Sequence, residues 1–193
     1  MPQTFLWTLI GLILTIFGTF VQAYTTNFPW LWPVSGLRVH PLGVALQVGA
    51  VLLTGCLGGK TAGMLSQLAY ITLGLTLVPI FGQGGDLGYW QQPSFGYILG
   101  FVPGAWVCGL LAFRMQPKPE TLAASAAMGL LVIHGAGLLY LLGFSLLGAR
   151  LGLEAVAFEP AAMAYSIAPI PAYAIVVCGV ATLAFGVRRL LFY

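Results

Sequence analysis

Six long apolar stretches, at about residues 5–23, 41–59, 61–80, 95–113, 121–147 and 161–187, alternate with short polar breaks along the chain. Each approaches or exceeds the ~20 residues that a helix needs to cross a bilayer. The breaks carry loop punctuation. "TTNFPWLWPVSGLRVHP" holds three prolines and two tryptophans, and aromatic residues favour the membrane interface. "RMQPKPE" is a short polar turn, and "GARLGLEAVAFEP" carries one base and two acids. The break at Lys60 is so tight that the second and third stretches are expected to form an antiparallel hairpin. The pattern predicts an all-α integral membrane protein of six transmembrane helices, a single domain over residues 1–193. The first stretch has no basic leader. Small residues in "VQA" before Tyr24 would suit a cleavage site, but 19 residues read better as a retained span.

Composition sharpens this picture. Of 193 residues, 60% are hydrophobic and 6% charged, against about 25% charged in a soluble domain. A water-facing surface cannot be assembled from such material. The net charge of +3 is too small to point to nucleic acid; its distribution matters more. Lys60, Arg114, Lys118, Arg188 and Arg189 fall on the side of the amino terminus, and only Arg38 and Arg150 on the other. Basic loops stay inside, so both termini are expected in the cytoplasm, in a multi-pass protein of the plasma (cell) membrane. Asp86, Glu154 and Glu159 then face out, as does the glycine-rich stretch "FGQGGDLGYWQQPSFGY" at 81–97.

Spacing excludes several chemistries. Cys56, Cys108 and Cys178 are far apart among apolar neighbours, which supports neither a metal nor a redox centre; they read as small buried hydrophobes. "TGCLGGKT" at 54–61 imitates a phosphate-binding loop, but Thr54 stands where that motif requires Gly. It reads as a glycine-rich reverse turn with Lys60 among the headgroups. The eleven charged residues offer no acid/base pair at an interpretable spacing, so neither an enzyme nor a cofactor is expected.

Polar residues within the apolar stretches show where helices face protein. Thr8, Gly11, Thr15, Gly18 and Gln22 recur at spacings of three and four, which puts them on one helical face. Small residues let backbones approach closely in lipid, so that face either packs within the chain or docks a partner subunit. Gln47 and Gln67 must face protein or a cavity, because an unpaired amide in hydrocarbon costs several kcal/mol. His134 has no second histidine or carboxylate at a useful spacing and is expected as a packed, hydrogen-bonded imidazole. Pro169 and Pro171 are expected to break the last helix near its outer end, between Tyr165 and Tyr173. Broken helices mark binding sites in transporters. Gln47, the glycine-rich loop and this break are expected to converge on an outward-facing site.

Residues 41–113 also carry a linked set of motifs. "HPLGVALQVGAVLLTGCLGGKTAGMLSQLAYITLGLTLVPIFGQGG" and "QQPSFGYILGF", with Pro93, Gly96, Tyr97, Gly100 and Phe101, resemble the BioY family, the biotin-binding S components of energy-coupling factor (ECF) transporters. "GLLYLLG" at 137–143 is similar to that family's fifth helix. The resemblance implies an S-component-like bundle, a biotin site opening outward, and dependence on a membrane T subunit with two ATPase subunits. It also makes Thr8, Gly11, Thr15 and Gly18 a natural docking surface, with Gly11-x-x-x-Thr15 where the family has Ala-x-x-x-Ala. The family's last helix opens with Pro-Gly-Asp-x-x-Lys, whose Asp and Lys contact biotin. Here Tyr173 and Val176, or Pro171 and Ala174, stand at those positions.

The expected function is capture of biotin, or a similar small vitamin, outside and its release inside without covalent chemistry. Candidate ligand contacts are Gln47, Gly84, Gly85, Asp86, Trp90, Gln91, Gln92, Tyr97 and Tyr173, with Arg38 or Arg150 for a carboxylate. The missing charged pair keeps two alternatives open: an S component for another ligand, and a membrane scaffold with no transported substrate.

Overall fold

The computed structural model describes residues 2–147 and 157–191; Arg150 and Glu154 lie outside the described residues. Helix α1 (Pro2–Phe20) turns Gly11, Thr15 and Gly18 inward and leaves Phe5, Leu6, Phe17 and Phe20 exposed, as suits a lipid-facing surface. Its small-residue face packs against the same chain. A Cβ on Gly11 would run into Thr54 and lie 3.0 Å from Ser66 Cβ, and one on Gly18 would lie 3.0 Å from the Gln47 backbone. The face expected to dock a partner, Thr8, Gly11, Thr15 and Gly18, thus turns mainly toward this chain's own helices. Three of these residues are consumed by internal packing, and the half-buried Thr8 hydroxyl donates to Thr4 of its own helix at 2.8 Å.

Residues at the edges of the first two apolar stretches are strand, not helix. Strand β1 (Gln22–Thr26) pairs antiparallel with β2 (Val39–Ala45), Tyr24 opposite Pro41 and Thr26 opposite Val39. Pro41 and Gly43, the latter at φ 72°, disfavour helix over this stretch. The connection, which includes the single turn α2 (Trp32–Ser35), is knitted by Asn27. Its side chain accepts from the Arg38 amide at 3.0 Å and donates to Ser35 Oγ at 3.1 Å.

Helix α3 (Gln47–Thr76) is a hairpin. Gly59, at φ 77° and ψ −179°, reverses the chain, in a region that glycine enters without steric cost. A straight helix would hold residues 47 and 70 about 34 Å apart, yet Gln47 Nε2 lies 2.8 Å from Tyr70 Oη. The arms touch closely: a Cβ at Gly63 would stand 3.3 Å from Gly55 Cα. The stretch that imitates a phosphate loop is this turn.

Helices α4 (Phe95–Arg114) and α5 (Pro119–Leu147) pack in sequence beyond the hairpin. Helix α6 (Phe158–Ala162), a π-helical turn (Met163–Ile167) and α7 (Ile170–Leu190) form the last pass. The prolines do not unwind it. The Ala168 amide reaches back five residues to the Met163 carbonyl at 2.9 Å, and this widened turn accommodates the donor missing at Pro169. Five helical elements are long and apolar enough to cross a membrane, and the two arms of α3 bring the passes to six.

The basic end of the bundle is tied by Arg188, only 4% exposed. Its Nε donates to the Cys56 carbonyl at 2.8 Å, its Nη1 to the Ala112 carbonyl at 2.9 Å, and the guanidinium sits 4.1 Å above the Phe113 ring. Three elements are thereby held by one cation. Cys56 and Cys108, distant in sequence, meet there with sulfurs 3.5 Å apart.

Gly11→Leu should destabilise the protein by about 1–3 kcal/mol, the usual cost of overpacking a filled contact. Thermal unfolding in detergent reads this; an unchanged transition would show that α1 does not depend on close approach to the hairpin.

Candidate ligand-binding cavity

At the opposite end of the bundle from Arg188, a cavity of about 230 Å³ opens between α3, α4, α5 and the last pass. Gln47 reaches it from the first turn of α3, Tyr97 from the first turn of α4 and His134 from the middle of α5. Tyr165 comes from the π-helical turn and Tyr173 from α7. Gly82, Gln83 and Tyr89 from the glycine-rich loop close one end, and Val48, Ile98, Phe101 and Ile133 supply apolar wall. A larger depression of about 400 Å³ lies between α1 and α7, but its lining is almost wholly apolar, including Leu14, Phe17, Ile175 and Leu183. Specific recognition needs placed polar groups, so the smaller cavity is the candidate site.

Two hydrogen-bonded clusters hold its walls. On one side Tyr97 Oη and Ser166 Oγ lie 2.7 Å apart, and His134 Nδ1 lies 3.1 Å from the same Ser166 oxygen. The rings of Tyr97, His134, Tyr165 and Tyr173 pack edge-on or tilted against one another around this serine with centroid separations of 5.2–5.9 Å. Ser166 belongs to the π-helical turn, so the proline-driven register change helps set where this hydroxyl falls. On the other side Gln47 Nε2 contacts Tyr70 Oη, which also lies 3.1 Å from Thr19 Oγ1 and 3.1 Å from the Ile80 carbonyl. Gln67, deeper in the bundle, donates to Thr15 Oγ1 and Ser66 Oγ, both at 3.1 Å.

The loop above is anchored by aromatic edges. Phe81 meets Tyr70 at 5.3 Å and Tyr89 at 4.6 Å, and Tyr140 donates to the Trp90 carbonyl. Of the candidate contacts, Gln47, Tyr97 and Tyr173 line the cavity. Gly84, Gly85, Asp86, Trp90, Gln91 and Gln92, expected there too, do not. Gly85 and Asp86 border a separate shallow groove beside Leu75–Pro79, while Trp90, Gln91 and Gln92 are exposed. The reason is local: residues 87–91 coil into a 3₁₀ turn that buries Tyr89 and turns its neighbours out.

His134 proves to be the packed, hydrogen-bonded imidazole that its isolation suggested, and it is a cavity wall as well. Its spacing to Ser166, 32 residues on and in another helix, gave no local pattern. Gln83, Tyr89 and Ser94 belong to the glycine-rich stretch expected at the site, though none was among the named contacts, and Ser166 carried no signal of its own. No aspartate, glutamate, lysine or arginine lines the cavity among the described residues. The arrangement can bind a small, flat, neutral group between rings and hydrogen-bond its edges. The Ser166–His134 contact lies in a network shared with Tyr97, with no carboxylate orienting the imidazole among the described residues, so it lacks the parts of an activated nucleophile.

The fold agrees with a solved structure, described as the S-component for biotin from an ECF-type ABC transporter. The TM-score is 0.71 at 17% identity, covering 97% of this chain and 92% of that one. Fold and cavity together define a multi-pass helical membrane protein with the fold of that S-component. Sequence places it further: the BioY family model matches residues 4–192, and the chain belongs to the BioY family. The probable biotin transporter BioY of Lysinibacillus sphaericus is 40% identical over 97 residues, 50% of each chain, so the chain spans about half the length of that curated relative. An uncharacterized 21.2 kDa protein of Cyanophora paradoxa is 26% identical over 189 residues, 96% of this chain and 95% of that one.

Ser166→Ala should lower stability by about 1–3 kcal/mol, because the Tyr97 hydroxyl and His134 imidazole lose their shared partner. Thermal unfolding of the ligand-free protein measures it, and no change would mean that the cluster is already hydrated.

Proposed function

We propose that this chain is the substrate-binding S component of an ECF-type uptake transporter and that its ligand is biotin. The observation that carries the reading is the aromatic-walled cavity, lined by no charged side chain among the described residues, at the end of the bundle away from the five basic side chains. Biotin offers a flat ureido ring that is polar but uncharged. Such a ring matches neutral partners such as Gln47, His134, Tyr97 and Tyr173, and needs no counter-ion. The family's Asp and Lys are therefore dispensable for the ring, although their loss favours keeping a different vitamin-sized ligand as the second reading. Gly84, Gly85, Asp86, Trp90, Gln91 and Gln92 act from the surrounding loop and not from the wall.

Residues 1–193 work as one membrane domain with both termini in the cytoplasm. Transport energy comes from partners, a membrane T subunit and two ATPase subunits, since the one phosphate-loop-like stretch of this chain is the α3 turn. The T subunit meets a surface other than the internal face of α1.

Protein freed of endogenous biotin should release heat on titration with micromolar biotin; silence there, with a response to another vitamin, moves the assignment to the second reading. Sidedness is checked separately. In a chain with Cys178→Ser, Gln92→Cys should react with an impermeant thiol reagent on intact cells, and Lys118→Cys only after permeabilisation. The reverse pattern inverts the orientation.

A further inference from the structure

Tyr70 is fully buried and does not line the cavity, yet its hydroxyl meets three other parts of the fold. Thr19 at the end of α1, Gln47 at the start of α3 and the Ile80 carbonyl in the outer loop all lie within 3.1 Å of it. A phenol owns one hydrogen. The Ile80 carbonyl can only accept, and it has no other donor among the described residues. The Tyr70 hydrogen is therefore directed to Ile80, and the Tyr70 oxygen must receive from Gln47. Thr19 Oγ1, 3.1 Å from the same phenol, can give or accept a hydrogen there. Because it is already bonded to the Thr15 carbonyl, 2.9 Å away, it does not depend on the Tyr70 hydrogen as the Ile80 carbonyl does.

This order sets which way the Gln47 amide points. Its N–H₂ faces Tyr70, and its Oε1, with no partner among the described residues, is left at the cavity wall. Were the amide reversed, Oε1 and the buried Ile80 carbonyl would compete for a single hydrogen. We propose that Tyr70 is a positioning residue that locks Gln47 as a hydrogen-bond acceptor, so that the site selects ligands presenting an N–H at that wall. The inference rests on the biotin reading only for the identity of that donor, a ureido N–H. It assigns selectivity to a residue that never touches the ligand.

The test uses full-length protein in detergent, with biotin and a biotin methylated on its ureido nitrogens as probes. Tyr70→Phe should weaken biotin about tenfold, the loss of roughly one oriented hydrogen bond. It should leave the methylated probe unchanged, and in a Gln47→Leu background it should add nothing. Equal weakening of both probes, or a full effect without Gln47, overturns the proposal. In the ligand-free protein, the unfolding temperatures of Tyr70→Phe, Gln47→Leu and the double variant should be non-additive. Additive shifts overturn the relay whatever the ligand proves to be. A wild-type protein that ignores biotin removes the biotin reading, while this ligand-free cycle still decides the relay.

Discussion

Lipid tails are as apolar as leucine, so helices inside a membrane gain little by hiding apolar surface from one another. Association rests on backbones coming close enough for dense van der Waals contact. In this chain that contact begins at the α3 hairpin. Gly59 reverses the chain, Gly55 and Gly63 bring the arms together, and Gly11 and Gly18 seat α1 upon them. The same constraint continues outward, where a Cβ on Gly100 would lie 2.8 Å from the Ile133 carbonyl. Gln47 and Tyr70 meet only because the hairpin is closed. The polar half of the cavity is thus a product of glycine packing some distance below it.

The cavity's other half depends on a helix irregularity. Two prolines close together in a membrane helix remove donors, and the chain answers with one widened turn that contains Tyr165 and Ser166. That turn gathers an imidazole and a phenol around one hydroxyl. Polar groups buried without charge must satisfy one another, and here the satisfied groups also form the walls.

The six passes and the tight hairpin at Lys60 were readable because bilayer thickness imposes a length on apolar runs and a short polar break cannot span the membrane. What misled was the edge of the runs. Residues 41–45 are apolar enough for a membrane helix, but Pro41, Gly43 and a waiting partner strand at Gln22–Thr26 settle them as β structure. The polar loop misled differently. Its Asp86, Trp90, Gln91 and Gln92 looked like ligand contacts by chemistry, while the fold around the 3₁₀ turn leaves them exposed and Gly82, Gln83 and Tyr89 at the cavity.

Hydropathy, residue size and motif are properties of the chain in order, and they sufficed for the membrane class, the family and the small-residue face of the first helix. Which surface that face meets, which side chains share the cavity, and how Ser166 comes to stand between Tyr97 and His134 were decided only in three dimensions. Those contacts join residues 32 to 69 positions apart across different helices, and the directions of the side chains are set by a glycine turn and a π-helical turn whose rotations no linear spacing encodes.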